Sequence, residues 1–127
     1  MTTSPGGARV EVRTSPLHGR GLFACMDIPA GGLIGAYPLL VLSHEDTAAV
    51  KATRLYHYVF YVDERSDGAV RAGVAFGAIS MCNHSAEANA AFRVDEGRSE
   101  VILTARRAIP ADAEILIDYE DFADVAV

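Results

Sequence analysis

Apolar residues in this chain fall mostly in short alternating or continuous runs, separated by frequent Pro and Gly breaks. The breaks lie at Ser15-Pro16, Pro29-Ala-Gly-Gly32, Ser66-Asp-Gly68, Glu96-Gly97 and Pro110-Ala-Asp112. Such punctuation predicts many short strands. Val10 and Val12 alternate with polar neighbours, as does the run Ala90 to Val94. The latter faces Val101-Ile-Leu103 across Glu96-Gly97, which predicts a hairpin. Leu33 to Leu42 is a longer apolar run broken at Pro38. Proline cannot donate to a ladder, so this run predicts two strands or one bent edge strand. Tyr56 to Val62 is aromatic and β-branched and predicts a further strand. Helical signals are few. Ser43 can cap a helix over about His44 to Thr53, with Glu45 and Asp46 in its first turn, and another helical turn is expected around Phe76 to Met81. No internal repeat is visible. The pattern therefore predicts a mostly β fold with short helices, an irregular α+β domain of several small sheets.

Composition narrows the class. With 127 residues and half of them apolar, the chain can bury one core, and a single domain over residues 9–122 is expected between a disordered leader, 1–8, and a short tail, 123–127. The net charge of −6, with Asp118, Glu120, Asp121 and Asp124 close together, disfavours direct binding of nucleic acid and favours a basic polypeptide partner. Neither a secretory signal nor a long charge-free segment is present, so a soluble intracellular protein with no membrane contact is expected, cytoplasmic or, in a eukaryote, nuclear. Cys25 and Cys82 offer neither a disulfide framework nor a zinc site, and both are expected reduced and buried. His18, His44 and His57 lack metal-ligand spacing, so no metal is expected.

Three blocks carry candidate chemistry. The first is His18-Gly19-Arg20-Gly21-Leu22-Phe23, where paired glycines let backbone approach a ligand or simply make a turn. Next comes Ser80-Met-Cys-Asn83-His84-Ser85, ending at Asn89, whose amide and imidazole groups can bind a ligand or make local turns. Last is Glu114-Ile-Leu-Ile-Asp118-Tyr119, with a tyrosine whose hydroxyl is either structural or catalytic and with Glu114 and Asp118 read as exposed strand-end carboxylates. In this order the blocks resemble the SET-domain protein lysine methyltransferases, over roughly Arg9 to Phe122.

That resemblance implies a β-clip of several small curved sheets with a C-terminal pseudoknot that sets the Asn83 segment beside the Tyr119 segment. It implies transfer of methyl groups from S-adenosyl-L-methionine to the side-chain amine of lysine in a basic protein or peptide such as a histone. The rival reading is a non-catalytic module that keeps the fold and binds cofactor or a basic peptide. By resemblance, Tyr119 is catalytic. Gly19, Arg20, Gly21, Leu22 and Phe23 hold the methionine part of the cofactor, while Asn83 meets its amino group and His84 its adenine through backbone atoms. Ile117 stands where the family often has Phe or Tyr limiting methyl number. Tyr37 and Tyr58 are candidates for the lysine channel, with core or sheet packing as the competing reading. The chain has no cysteine cluster after the last block. Phe122 is the candidate to stack near adenine, the alternative being a hydrophobic anchor, and a homodimer completing the lid is a further possibility.

Overall fold

The computed structural model describes residues 9–118, so the predictions for the leader, the tail, Tyr119 and Phe122 lie outside the described residues. Among the described residues nine strands and one α-helix follow in the order β1 (Val10–Thr14), β2 (Arg20–Ala24), β3 (Leu33–Val41), α1 (His44–Lys51), β4 (Val59–Glu64), β5 (Val70–Ala75), β6 (Asn83–His84), β7 (Ala90–Asp95), β8 (Glu100–Ala105) and β9 (Glu114–Ile117). They form a four-stranded sheet, β1-β2-β9-β6, and a five-stranded sheet, β4-β5-β3-β8-β7. The second sheet is curled: Phe60 on β4 and Phe92 on β7, from its two edges, meet edge to face with ring centroids 5.1 Å apart.

Local chemistry explains most boundaries. Ser43 Oγ accepts from Asp46 N at 3.0 Å and caps α1, as its position predicts. Thr47 Oγ1 donates to Ser43 O and accepts from Ala72 N, fastening the helix to β5. The β7–β8 hairpin forms in the expected register, with Val94 opposite Val101. β3 departs from expectation: it is a single interior strand. Its first half pairs with β8 up to Pro38 and its second half with β5 from Leu39, so the proline sits where the strand changes partners. The expected strand over Tyr56 to Val62 also begins late, because Arg54–Tyr58 forms a 3₁₀ turn. Cys82 is buried as expected, but Cys25 is only half-buried, its thiol donating to Glu11 Oε1 at 3.4 Å.

The core gathers both sheets, with Leu22, Ile28, Ile79, Leu103, Ile109, Ile115 and Ile117 all but fully buried. At its centre Ile28 and Ile109 exchange hydrogen bonds in both directions at 2.8 Å. The bonds around that pair occur in matching sets. Ala24 N reaches Ala113 O as Ala105 N reaches Gly32 O, and Asp112 N reaches Ala24 O as Gly31 N reaches Ala105 O. Cys25 N bonds Arg9 O as Arg106 N bonds Asn89 O. Gly31 and Asp112, at equivalent places, both have positive φ, 79° and 70°. The hairpin β1–β2 with β9 is thus repeated as the hairpin β7–β8 with β3. Contrary to expectation the chain does hold a repeat, and its trace in sequence is the tripeptide Ile-Pro-Ala at 28–30 and 109–111.

Candidate functional site

The first block is a built turn. Ser15 N bonds Gly19 O at 2.8 Å, Ser15 Oγ accepts from Leu17 N at 3.0 Å, and Gly19 takes φ +49°, which a glycine adopts without strain. Asn83 holds this turn from across the fold, its Nδ2 lying 3.0 Å from His18 O, 3.0 Å from Arg20 O and 2.9 Å from Glu114 Oε2. Ser15 Oγ donates to the other oxygen of Glu114 at 2.9 Å. The carboxylate lies directly over Gly21, where a Cβ would stand 2.1 Å from Glu114 Oε2. Glu114 is therefore a half-buried hub that joins the first and last blocks, and the reading of it as an exposed strand-end carboxylate is corrected.

The middle and last blocks lie side by side. β6 pairs parallel with β9, Asn83 opposite Leu116 and His84 opposite Ile117. Asn89 extends the ladder with its side chain, Nδ2 donating to Glu114 O at 2.9 Å and Oδ1 accepting from Leu116 N at 2.8 Å. Asp118 is also not an exposed end: its side chain is 22% accessible and its Oδ1 lies 3.7 Å from His84 Nδ1. The Cys82 thiol donates to Ile115 O at 3.2 Å, and burial, reinforced by the Glu114 charge, pushes its pKa up to about 12.

Two cavities open from this junction. The larger, of about 690 Å³, lies between the Gly19–Arg20 turn, the Arg54–Tyr58 turn and the segment Ser80 to Asn83. The smaller, of about 270 Å³, is mostly apolar and is lined by Tyr56, Val59, Phe60, Ile79 and Ile117. They share His57, Tyr58, Ser80 and Cys82, so one wall serves both.

The expected site residues separate accordingly. Gly19, Arg20 and Asn83 line the larger cavity, Ile117 the smaller, and Tyr58 both. Gly21, Leu22 and Phe23 stand behind the wall: Leu22 is wholly buried in the core, and Phe23 packs beneath the Arg13 guanidinium, 5.4 Å from its ring centroid. His84 is exposed, with its backbone paired to Ile117. Tyr37 lines neither cavity. Its ring covers the backbones of Gly35 and Gly77 against the core, and burial, with the nearby Cys82 thiol, raises its pKa. Arg54, His57 and the Ser15–Glu114 contact escaped the sequence reading. Arg54 falls between the expected helix and the expected strand, His57 lies in the part of the turn that has the composition of a strand, and Ser15 lies 99 residues from Glu114.

A sequence profile described as the SET domain matches residues 19–120. The chain belongs to the SET-domain family. This SET domain is 30% identical over 115 residues to "Histone-lysine N-methyltransferase, H3 lysine-37 specific" of Schizosaccharomyces pombe, covering 88% of this chain and 74% of that protein. Its fold is similar to the Neurospora SET-domain protein DIM-5, a histone lysine methyltransferase, with TM-score 0.68 and 19% identity over 87% of this chain and 51% of that one. It is also similar to a chain of a humanized Chaetomium thermophilum Polycomb Repressive Complex 2, with TM-score 0.69 and 23% identity over 88% of this chain and 15% of that one. The chain thus spans about half of the first of these structures and a small part of the second.

Proposed function

We propose that this SET domain transfers methyl groups from S-adenosyl-L-methionine to the side-chain amine of a lysine in a basic protein such as a histone. The observation that carries the reading is the pair of cavities sharing one wall, a larger one that Arg20, Arg54 and Asn83 help to line beside a smaller, more apolar one. The larger has the volume of a small-molecule site. It is lined by the Gly19–Arg20 turn and by Asn83, which holds that turn in place, and these would receive the methionine part of the cofactor. Gly21, Leu22 and Phe23 would stiffen that wall, the His84 backbone would border the adenine, and Phe122 would stack on it.

When bound, the cofactor supplies an electrophilic methyl on a sulfonium. The chain's own residues do the rest. Tyr58 and Ile117 flank the apolar cavity and pack on the lysine stem, which excludes water from the amine. Desolvation there favours the neutral amine, the form with a free electron pair. Tyr119 follows Asp118 directly in sequence, and its neutral hydroxyl would orient the amine for in-line attack. The excess of acidic side chains favours a basic partner, and the Schizosaccharomyces pombe relative points to histone H3.

The test is incubation with methyl-labelled cofactor and purified core histones, with Tyr119→Phe alongside. Label on a histone lysine, lost for the most part in Tyr119→Phe, is the expected result. Cofactor binding without transfer to any basic protein would instead establish a non-catalytic module.

A further inference from the structure

We propose that Arg54 seats the carboxylate of the cofactor's methionine moiety. The inference rests on the cofactor reading above and adds a residue that neither the sequence blocks nor their order singles out. Arg54 opens the 3₁₀ turn Arg54–Tyr58 and lines the larger cavity. Residues three apart eclipse one another on such a turn, so Arg54 stands on the same face as His57, which belongs to the wall common to both cavities.

Four exposed guanidiniums, those of Arg20, Arg54, Arg93 and Arg106, have no side-chain partner among the described residues, and of these Arg20 and Arg54 line the larger cavity. Arg13 and Arg71 each bridge two carboxylates. Arg54 makes no hydrogen bond or ion pair with any described residue, and no described Asp or Glu lines the cavity it faces. The remaining cationic or potentially cationic groups there are Arg20, His18 and His57. A sulfonium and an ammonium entering this cavity gain nothing from a fixed cation, so the one attractive partner on the ligand is its carboxylate.

Position selects Arg54 over Arg20. A methyl reached from the apolar cavity requires the sulfur to lie at the shared wall. Two methylenes and Cα alone separate that sulfur from the carboxylate, which therefore stays near the same wall. Arg54 is one turn from His57 and Tyr58. Arg20 stands beyond Gly19, with its carbonyl already held by Asn83, and no neighbour of it in sequence belongs to the shared wall. A guanidinium also presents a planar fork that matches a carboxylate with two parallel hydrogen bonds.

The experiment is a calorimetric cycle. Wild type, Arg54→Gln, Arg54→Lys and Arg20→Gln are each titrated with S-adenosylmethionine and with its decarboxylated form, after circular dichroism has checked their folding. Arg54→Gln should weaken the carboxylate-bearing ligand by about tenfold or more, as loss of a charge-assisted hydrogen bond does. It should bind the decarboxylated form within about twofold of wild type, because that ligand lacks the group the arginine serves. Arg54→Lys should fall between, and Arg20→Gln should leave the ratio of the two affinities as in wild type. Equal effects of Arg54→Gln on both ligands, or none, overturn the proposal while the cofactor reading stands. Failure of wild type to bind either ligand removes the cofactor reading and the proposal with it.

Discussion

Gly21 shows how a single hydrogen atom can be a structural requirement. Its own backbone is unremarkable, but Glu114 occupies the place of a side chain and is itself pinned by Ser15 and Asn83. Gly21→Ala should therefore displace the carboxylate and loosen the Gly19 turn, weakening cofactor binding in a titration more than it lowers the melting temperature. Asn83→Ala removes the donor to three acceptors and leaves a half-buried carboxylate short of a partner. A stability loss of about 1–3 kcal/mol is expected in urea unfolding. Cys82 provides a pH signature. Its thiol has a folded pKa raised from the ordinary 9.0 to about 12. The neutral form is thus favoured by folding, and its contribution is intact below about pH 9 and lost as pH rises towards 12. Cys82→Ala should flatten the alkaline limb of stability against pH, and an unchanged limb would place the titrating group elsewhere.

Among the elements, legibility followed the range of the interactions that decide them. The capped helix α1 and the β7–β8 hairpin depend on residues close in sequence, and both stand where the pattern put them. β3 is neither the two strands nor the bent edge strand that Pro38 predicts, because the proline falls where the strand leaves β8 for β5, an exchange no local window contains. The aromatic run at Tyr56 to Tyr58 had the composition of a strand, but Tyr56 and Tyr58 turn towards the cavities instead of joining a ladder. Tertiary context overrode propensity there. The three-block order still located Asn83 and the Gly19 turn, since both depend on residue type at fixed spacing. Between elements, Arg71 on β5 binds Asp63 on β4 and Glu96 beyond β7, closing the curled sheet. The hydrogen bond from Arg71 holds the Asp63 carboxyl below its ordinary range. A depressed carboxylate contributes above its unfolded pKa, and that contribution is lost as pH falls through the folded value. Arg71→Met should accordingly reduce the dependence of stability on pH below about pH 4, by a small amount because the acids are partly solvated.

At the scale of the molecule, charge and topology lead to different expectations. If the partner is a basic segment, its capture by a chain of net charge −6 should weaken with ionic strength, visible as a KM that rises with salt while kcat changes little. The mostly β class was evident from the short runs, whereas the two matched hairpins were not, because they share backbone geometry and little beyond Ile-Pro-Ala. That matching has a consequence for synthesis. Each hairpin takes its third strand from the other half: β9 completes the sheet begun by β1 and β2, and β3 lies against β8. A nascent chain that has released β1 to β5 from the ribosome can pair β1 with β2 and β5 with β3 and β4, but β2 still lacks β9 and β3 still lacks β8. The β2–β9 and β6–β9 pairings wait until residue 117 has emerged, and the Glu114 anchor of the glycine turn forms in the same late step. Translation stopped short of β9 would leave the five-stranded sheet with all its strands, while the β1–β2 hairpin and β6 would lack the strand that joins them.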